Sequence, residues 1–232
     1  SLRVDTDAIE TLSKNPLFKI IPGIYEREHA VEIQLPFIQK AIANPKIIPI
    51  IVGEIPEENI DLVVNSIAKI IDDNTLIIIS SDFIHHGKSY QYDIFKRNVL
   101  NQIKFVDSSA IEAICSKSSE SFKNVLADTG ATICGQVPIV LFLKLIENES
   151  LGNVESRLAC YYSSVQLLKS RQKKESIDFQ ELFKGIADEE MQDSVSYASI
   201  VFTTQKIAEL KKENQLTGYE KLALLQSARQ SI

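Results

Sequence analysis

Two uninterrupted apolar runs with a helical pattern between them limit the fold of this chain more than any other feature. The runs cover residues 47–52 and 76–79, and neither alternates between apolar and polar positions. A strand that is apolar throughout is typical of a sheet covered on both faces. Isoleucine and valine recur at helical spacing over residues 57–71. Strand, helix and strand in this order predict a βαβ unit with a right-handed crossover.

Further helices and strands are predicted before and after this unit in the sequence. The sequence predicts an α/β fold with a mostly parallel central sheet flanked by helices. Residues 167–192 are polar and charged, which indicates a surface excursion. Apolar spacing predicts helices over residues 4–12, 36–43, 93–105, 110–115, 122–126 and 137–146, and β-branched or aromatic residues predict strands over 157–163 and 195–203.

Composition excludes several classes of protein. The net charge is −6 and the basic residues are scattered, so no basic face for nucleic acid is expected. No apolar run reaches the length that crosses a membrane. The three cysteines show no CxxC pair, which fits a reducing, cytoplasmic setting. Phosphate-binding glycine loops, GxSxG and HExxH are absent, so the usual nucleotide, serine-hydrolase and zincin sites lack support.

The second apolar run ends in an acid and two imidazoles, Asp82, His85 and His86. Ligands of open parallel sheets bind where the strands end, so these side chains are candidates for an active or metal-binding site. A carboxylate three residues from an imidazole can orient the ring or share a metal with it. The alternative is that Asp82 caps the next segment and the histidines are ordinary loop residues.

Cys134 is a second candidate, because it precedes an apolar helix and helix N-termini favour the thiolate form. The alternative for Cys134 is a small buried residue at a glycine turn. His29 lies among glutamates and could belong to a polar cluster, or be a histidine at the start of a helix. Cys115 and Cys160 fall in helix and strand patterns and are expected in the core.

Five motifs together resemble the Memo family, and they occur in the family's order. The combination covers most of residues 1–204. The motifs are EHAVEIQLP at 28–36, IIPIIVG at 47–53, SSDFIHHG at 80–87, TICGQVPI at 132–139 and DSVSYA at 193–198.

This resemblance implies a fold similar to class III extradiol dioxygenases, with a site at the strand ends. His85 would be the catalytic histidine with Asp82 beside it, and Cys134 would be a metal ligand. A thiolate with imidazoles suits Fe, Cu or Zn. The family's other metal histidines lie in HAGY and PSHH motifs, which this sequence does not contain. The chain is therefore expected to hold part of a site, to bind no metal firmly and to be inactive by itself.

The resemblance also implies how the chain is divided and what it works with. Residues 1–204 would be a Memo-like domain lacking its N-terminal part, and residues 205–215 a linker. Residues 216–232 resemble the start of an AMMECR domain, which is linked to Memo proteins in the AmmeMemoRadiSam system. AMMECR-domain and radical-SAM proteins are therefore expected partners.

Two functions remain open at this point. One is a redox or oxygen-using non-haem metalloenzyme of unknown substrate. The other is a non-catalytic module whose strand-end cleft binds a small molecule, a peptide or a protein. The cleft would include His29 and His86 in addition to the three principal residues.

Overall fold

The computed structural model describes residues 2–172 and 186–204. These residues divide into two compact units, one before Ser81 and one from Ser81 onward. The expected linker and AMMECR-like segment lie outside the described residues, as does part of the expected surface excursion. Within the described residues, no helix is long and apolar enough to cross a membrane.

The first unit begins with a short strand and a capped helix. Strand β1 (Arg3–Val4) leads into helix α1 (Thr6–Ser13), whose N-cap Asp5 accepts a hydrogen bond from the amide of Ala8 at 3.2 Å. A cap of this kind satisfies an amide that has no partner within the helix. β1 pairs in parallel with strand β2 (Lys46–Ile47).

The described part of this unit has two further α-helices. Helix α2 (Leu35–Ala41) carries its proline in the first turn, where the missing N–H costs no helical hydrogen bond. Helix α3 (Ile60–Ala68) buries Ile60, Val63 and Val64 on one face. Both helices were predicted from the sequence, although each is shorter than its apolar pattern.

The two apolar runs do not become the buried parallel strands that the sequence predicts. The first run is in a strand only at β2, and residues 76–79 pair with no strand among the described residues. Leu76 is 65% exposed and Ile78 is 42% exposed. A strand forms only where neighbouring backbones supply hydrogen bonds, and among the described residues the only strand beside either run is β1, which pairs at Ile47.

The second unit is mainly helical. Its described α-helices are α4 (Val99–Cys115), α5 (Ser119–Thr129), α6 (Gln136–Glu147) and α7 (Ser164–Gln172). The sequence split α4 into two helices, whereas the structure has one continuous helix that buries Ile103, Val106 and Ile114. The core also includes Phe122 of α5 and Leu143 of α6.

The sheet of this unit is antiparallel. Strands β3 (His85–His86), β4 (Glu155–Ser163) and β5 (Ser194–Thr203) lie in the order β3-β5-β4. The two long strands confirm the predicted strand positions, but both pairings in this sheet are antiparallel. The prediction of a mostly parallel sheet rested on the two apolar runs, which pair with no described strand beyond Ile47. The described chain is thus a mixed α/β protein with small sheets.

Candidate functional site

The site forms on the segment from Asp82 to His85, whose four backbone amides each donate to a different partner. The amide of Phe83 donates to the carbonyl of Ser196 in β5 at 2.9 Å. The other three acceptors are side-chain atoms: Cys134 Sγ for Asp82 at 3.1 Å, Asp107 Oδ1 for Ile84 at 3.3 Å and Thr132 Oγ1 for His85 at 2.9 Å. Side chains therefore do here much of what a neighbouring strand does in a ladder.

A second segment, residues 131–135, lies alongside the first. Ala131 and Ile133 are buried, whereas Thr132 is half-buried and Cys134 is exposed. This alternation is that of an extended chain, and it turns the hydroxyl and the thiol toward the first segment. The amide of Gly135 donates to Ser81 Oγ at 2.9 Å, which joins the far ends of the two segments.

Hydrogen bonds to neighbouring carbonyl groups hold the neutral imidazole of His85 in one tautomer. Its Nδ1 lies 2.9 Å from the carbonyl oxygen of Thr132 and 3.1 Å from that of Phe83. Carbonyl oxygens only accept hydrogen bonds, so Nδ1 carries the hydrogen. In the neutral ring, Nε2 is therefore the atom that can take up a proton.

Asp82 faces that nitrogen. Its Oδ2 lies 3.7 Å from His85 Nε2, and its side chain is 44% exposed, against 19% for His85. Burial raises the pKa of the Asp82 carboxyl, and the nearby imidazole partly opposes that rise. The two groups are therefore placed to exchange a proton through one bridging group.

Asp107 supports the segment from its buried side. Its carboxyl, on α4, is fully buried and accepts hydrogen bonds from the amide of Ile84 and, at 2.6 Å, from the hydroxyl of Tyr161. Burial raises the pKa of Asp107 to about 6. The segment that carries the site thus rests on an acid whose charge changes near neutral pH.

Tyr90 forms an aromatic wall beside His85. The two ring centroids are 5.2 Å apart at an interplanar angle of 70°, an edge-to-face contact. The loop that carries Tyr90 is closed by hydrogen bonds in both directions between Gly87 and Tyr92. Tyr92 is itself anchored by its hydroxyl, which donates to the carbonyl of Thr129 at 2.9 Å. Tyr90 is 40% exposed and is thus held at the protein surface beside His85.

The other two histidines lie elsewhere. His86 is 1% exposed, and its Nδ1 is 2.9 Å from the carbonyl oxygen of Met191. Its Nε2 is buried 4.0 Å from Asp93 Oδ1 and has no hydrogen-bond partner within the described part of the chain. His29 is exposed in the first unit, after a 3-10 turn at Ile24–Arg27. The structure therefore brings together Asp82, His85 and Cys134, and turns His86 into the interior of the second unit.

The side chains at this site are of types that bind metal ions, but too few of the described side chains are placed to hold one. Thiol, imidazole and carboxyl are ligands that Fe, Cu and Zn accept. Among the described residues, however, no three His, Cys, Asp or Glu side chains are placed to hold a metal ion. The site as described would need further ligands from elsewhere.

Sequence reasoning missed four residues that build this site. Ser81, Thr132 and Tyr90 lie within or beside the quoted motifs, so their position next to the candidate residues was the available signal. Asp107 lies 22 residues after His85, between the two predicted helices that the structure joins into α4, and no motif distinguishes it.

Together, fold and site define a mixed α/β protein with a thiol, an imidazole and a carboxyl gathered where an extended segment meets a helix N-terminus. Residues 1–177 match the family described as Memo-like protein, and the chain belongs to that family.

Individual relatives support this assignment. Protein memo-1 homolog of Caenorhabditis elegans is 33% identical over 135 residues, which are 55% of this chain and 39% of that protein. Protein MEMO1 of Homo sapiens is 30% identical over 154 residues, which are 62% and 52% of the two chains. A MEMO1 family protein of Thermococcus onnurineus is 27% identical over 180 residues, 73% and 61% of the two. The chain spans between 39 and 61% of the length of these relatives.

Proposed function

We propose that this chain is the site-bearing part of a Memo-like metalloenzyme that carries out redox or oxygen-using chemistry. Cys134 would be a metal ligand, and His85 with Asp82 would move a proton. The observation that carries the proposal is the convergence on Asp82: its amide reaches Cys134 Sγ at 3.1 Å and its carboxyl lies 3.7 Å from His85 Nε2.

The proposed acid–base role of His85 and Asp82 follows from the position of the hydrogen on the His85 ring. His85 keeps the hydrogen on Nδ1, so a proton from a substrate would arrive at Nε2. The Asp82 carboxyl would stabilise the imidazolium that forms, or take the proton onward, because burial already favours its protonated form. Tyr90 shields one side of the imidazole from water.

The metal part follows from the thiol. Cys134 is exposed at the N-terminus of α6, and its sulfur is reached by the amide of Asp82. A bound iron or copper ion would supply the redox chemistry, and its remaining ligands would come from outside the described residues. This chain would contribute the exposed sulfur of Cys134, held in a fixed orientation, as one ligand of that ion.

Metal analysis of a longer version of the protein tests this proposal. The purified longer protein should retain iron or copper, and Cys134→Ser should lower the retained metal at least tenfold. Cys115→Ser is the matched control, because Cys115 is a thiol of the same unit in the C-terminal turn of α4. No retained metal in the parent, or equal retention in Cys134→Ser, would contradict the proposal.

A second candidate function is a non-catalytic module that binds a small molecule, a peptide or a protein in the same cleft. The open position of Asp82, Cys134 and Tyr90 favours it, since all three are accessible to a ligand. A partner captured by the wild type should then be lost when all three are replaced. A partner that survives the triple substitution would exclude the cleft as its binding site.

We further propose that residues 47–52 and 76–79 become inner strands of a mostly parallel, dioxygenase-like sheet in the longer protein. The exposure of Leu76 and Ile78 supports this, because apolar strands are costly to leave in water. A structure of the longer protein tests it: both runs should be paired on two sides.

We also propose that the protein works in the cytoplasm with AMMECR-domain and radical-SAM partners. The cytoplasmic setting is supported by the three cysteines, none of which is in a disulfide. The partners rest on the family resemblance alone. Copurification of the longer protein with the radical-SAM protein of its own source tests them, and no association at micromolar concentration would contradict them.

A further inference from the structure

Thr132 contacts both the backbone and the imidazole ring of His85. The Thr132 hydroxyl accepts from the His85 amide and donates to the His85 carbonyl oxygen, each at 2.9 Å. The Thr132 carbonyl oxygen accepts from His85 Nδ1, also at 2.9 Å. One residue thus holds the backbone of His85 and determines where its ring carries the hydrogen.

The position of Thr132 is itself secured by its neighbours. Ala131 and Ile133 are 3% and 1% exposed, so the segment is anchored in the core on both sides of Thr132. Two residues further on, Cys134 contacts the amide of Asp82. The segment therefore relates the imidazole, the carboxyl and the thiol to one another.

We infer that Thr132 is a positioning residue that keeps His85 in its Nδ1–H form and leaves Nε2 facing Asp82. This inference rests on the acid–base role proposed for His85. Without the hydroxyl, the His85 amide would lose its acceptor and the backbone would shift to find another. The bond from Nδ1 to the Thr132 carbonyl would lengthen, and only the Phe83 carbonyl would still oppose the Nε2–H form.

Nitrogen-15 NMR of the histidine-labelled chain tests the inference without any metal or substrate. At a pH where the ring is neutral, His85 of the wild type should show a protonated Nδ1 and an unprotonated Nε2. Thr132→Val should shift the ratio of the two forms about fivefold toward Nε2–H, the change that corresponds to one hydrogen bond of about 1 kcal/mol. Thr132→Ser keeps the hydroxyl and should leave the ratio unchanged.

His86 is the internal reference, because its Nδ1 donates to the Met191 carbonyl and not to Thr132. Its signals should be the same in all three chains. An Nε2–H form of His85 in the wild type, an unchanged ratio in Thr132→Val, or a shift in Thr132→Ser equal to that in Thr132→Val would each overturn the inference. If Thr132→Val does not fold, an Nε2–H form of His85 in the wild type would still overturn the inference.

The outcomes also separate this inference from the proposed function. A longer protein that retains no metal would contradict the metal proposal and leave the NMR result standing. An Nε2–H form of His85 would overturn the role of Thr132 and leave metal ligation by Cys134 untouched.

Discussion

The backbone nitrogen of Asp82 lies 3.1 Å from the sulfur of Cys134, although 52 residues separate them in the sequence. The contact joins the segment from Asp82 to His85 to the N-terminus of α6. The same aspartate presents its carboxyl to His85. A substitution at Asp82, His85 or Cys134 should therefore change the surroundings of the other two side chains.

The titration of Asp82 should depend on His85. Burial raises the pKa of the Asp82 carboxyl and the imidazole lowers it, so His85→Gln should raise that pKa further. Carbon-13 NMR of labelled aspartate measures this directly. The Asp93 signal is the internal control, because the largest effect on its pKa is the hydrogen bond from Lys96. An Asp82 pKa that falls or stays constant in His85→Gln would refute the coupling.

Asp107 should make the chain less stable as the pH rises. Its folded-state pKa of about 6 lies above the ordinary value of 3.8, so the stability that its protonated form contributes is present below pH 3.8 and lost as the pH rises through 6. Between pH 4 and pH 7.5 the wild type should lose about 2 kcal/mol of unfolding free energy relative to Asp107→Asn. Urea unfolding at the two pH values measures this difference, and parallel pH dependences would contradict it.

Gly87 should tolerate no side chain. Its φ is +129°, and an added Cβ would overlap the carbonyl oxygen of Gln192 and the carboxyl of Asp193. Gly87→Ala should therefore lower the unfolding free energy by on the order of 3 kcal/mol. Gly53→Ala is the control, since no atom of the described residues lies within 4 Å of its added Cβ, and it should change stability by less than about 0.5 kcal/mol. Equal melting temperatures of the two variants would rule out this packing.

Asp188 should stabilise the start of α4. Its two carboxylate oxygens accept from the amides of Asn98 and Val99, each at 2.7 Å, although it lies about 90 residues further along the chain. Asp188→Ala should cost about 1–2 kcal/mol, and Asp188→Asn about half as much. Glu189→Ala, at the exposed next residue, should have almost no effect on thermal unfolding. The prediction fails if the two alanine variants are equally stable.

Local patterns predicted much of the second unit correctly. Helix α6 and the strands β4 and β5 lie within a few residues of their predicted positions, because each depends on its own apolar spacing or β-branched content. The two apolar runs were predicted as parallel strands, but strand pairing depends on distant partners. Local spacing cannot show whether those partners are present.

By itself, the sequence determined the family and most helix positions, and it identified Asp82, His85 and Cys134 as candidate site residues, because each follows from neighbouring residues or from motifs. Tertiary structure alone decided that these three converge, that His85 carries its hydrogen on Nδ1, and that His86 points into the interior. It also supplied Thr132 and Asp107 as hydrogen-bond acceptors for the site segment. These relationships join residues 23 to 105 positions apart, and only folding brings such residues within hydrogen-bonding distance.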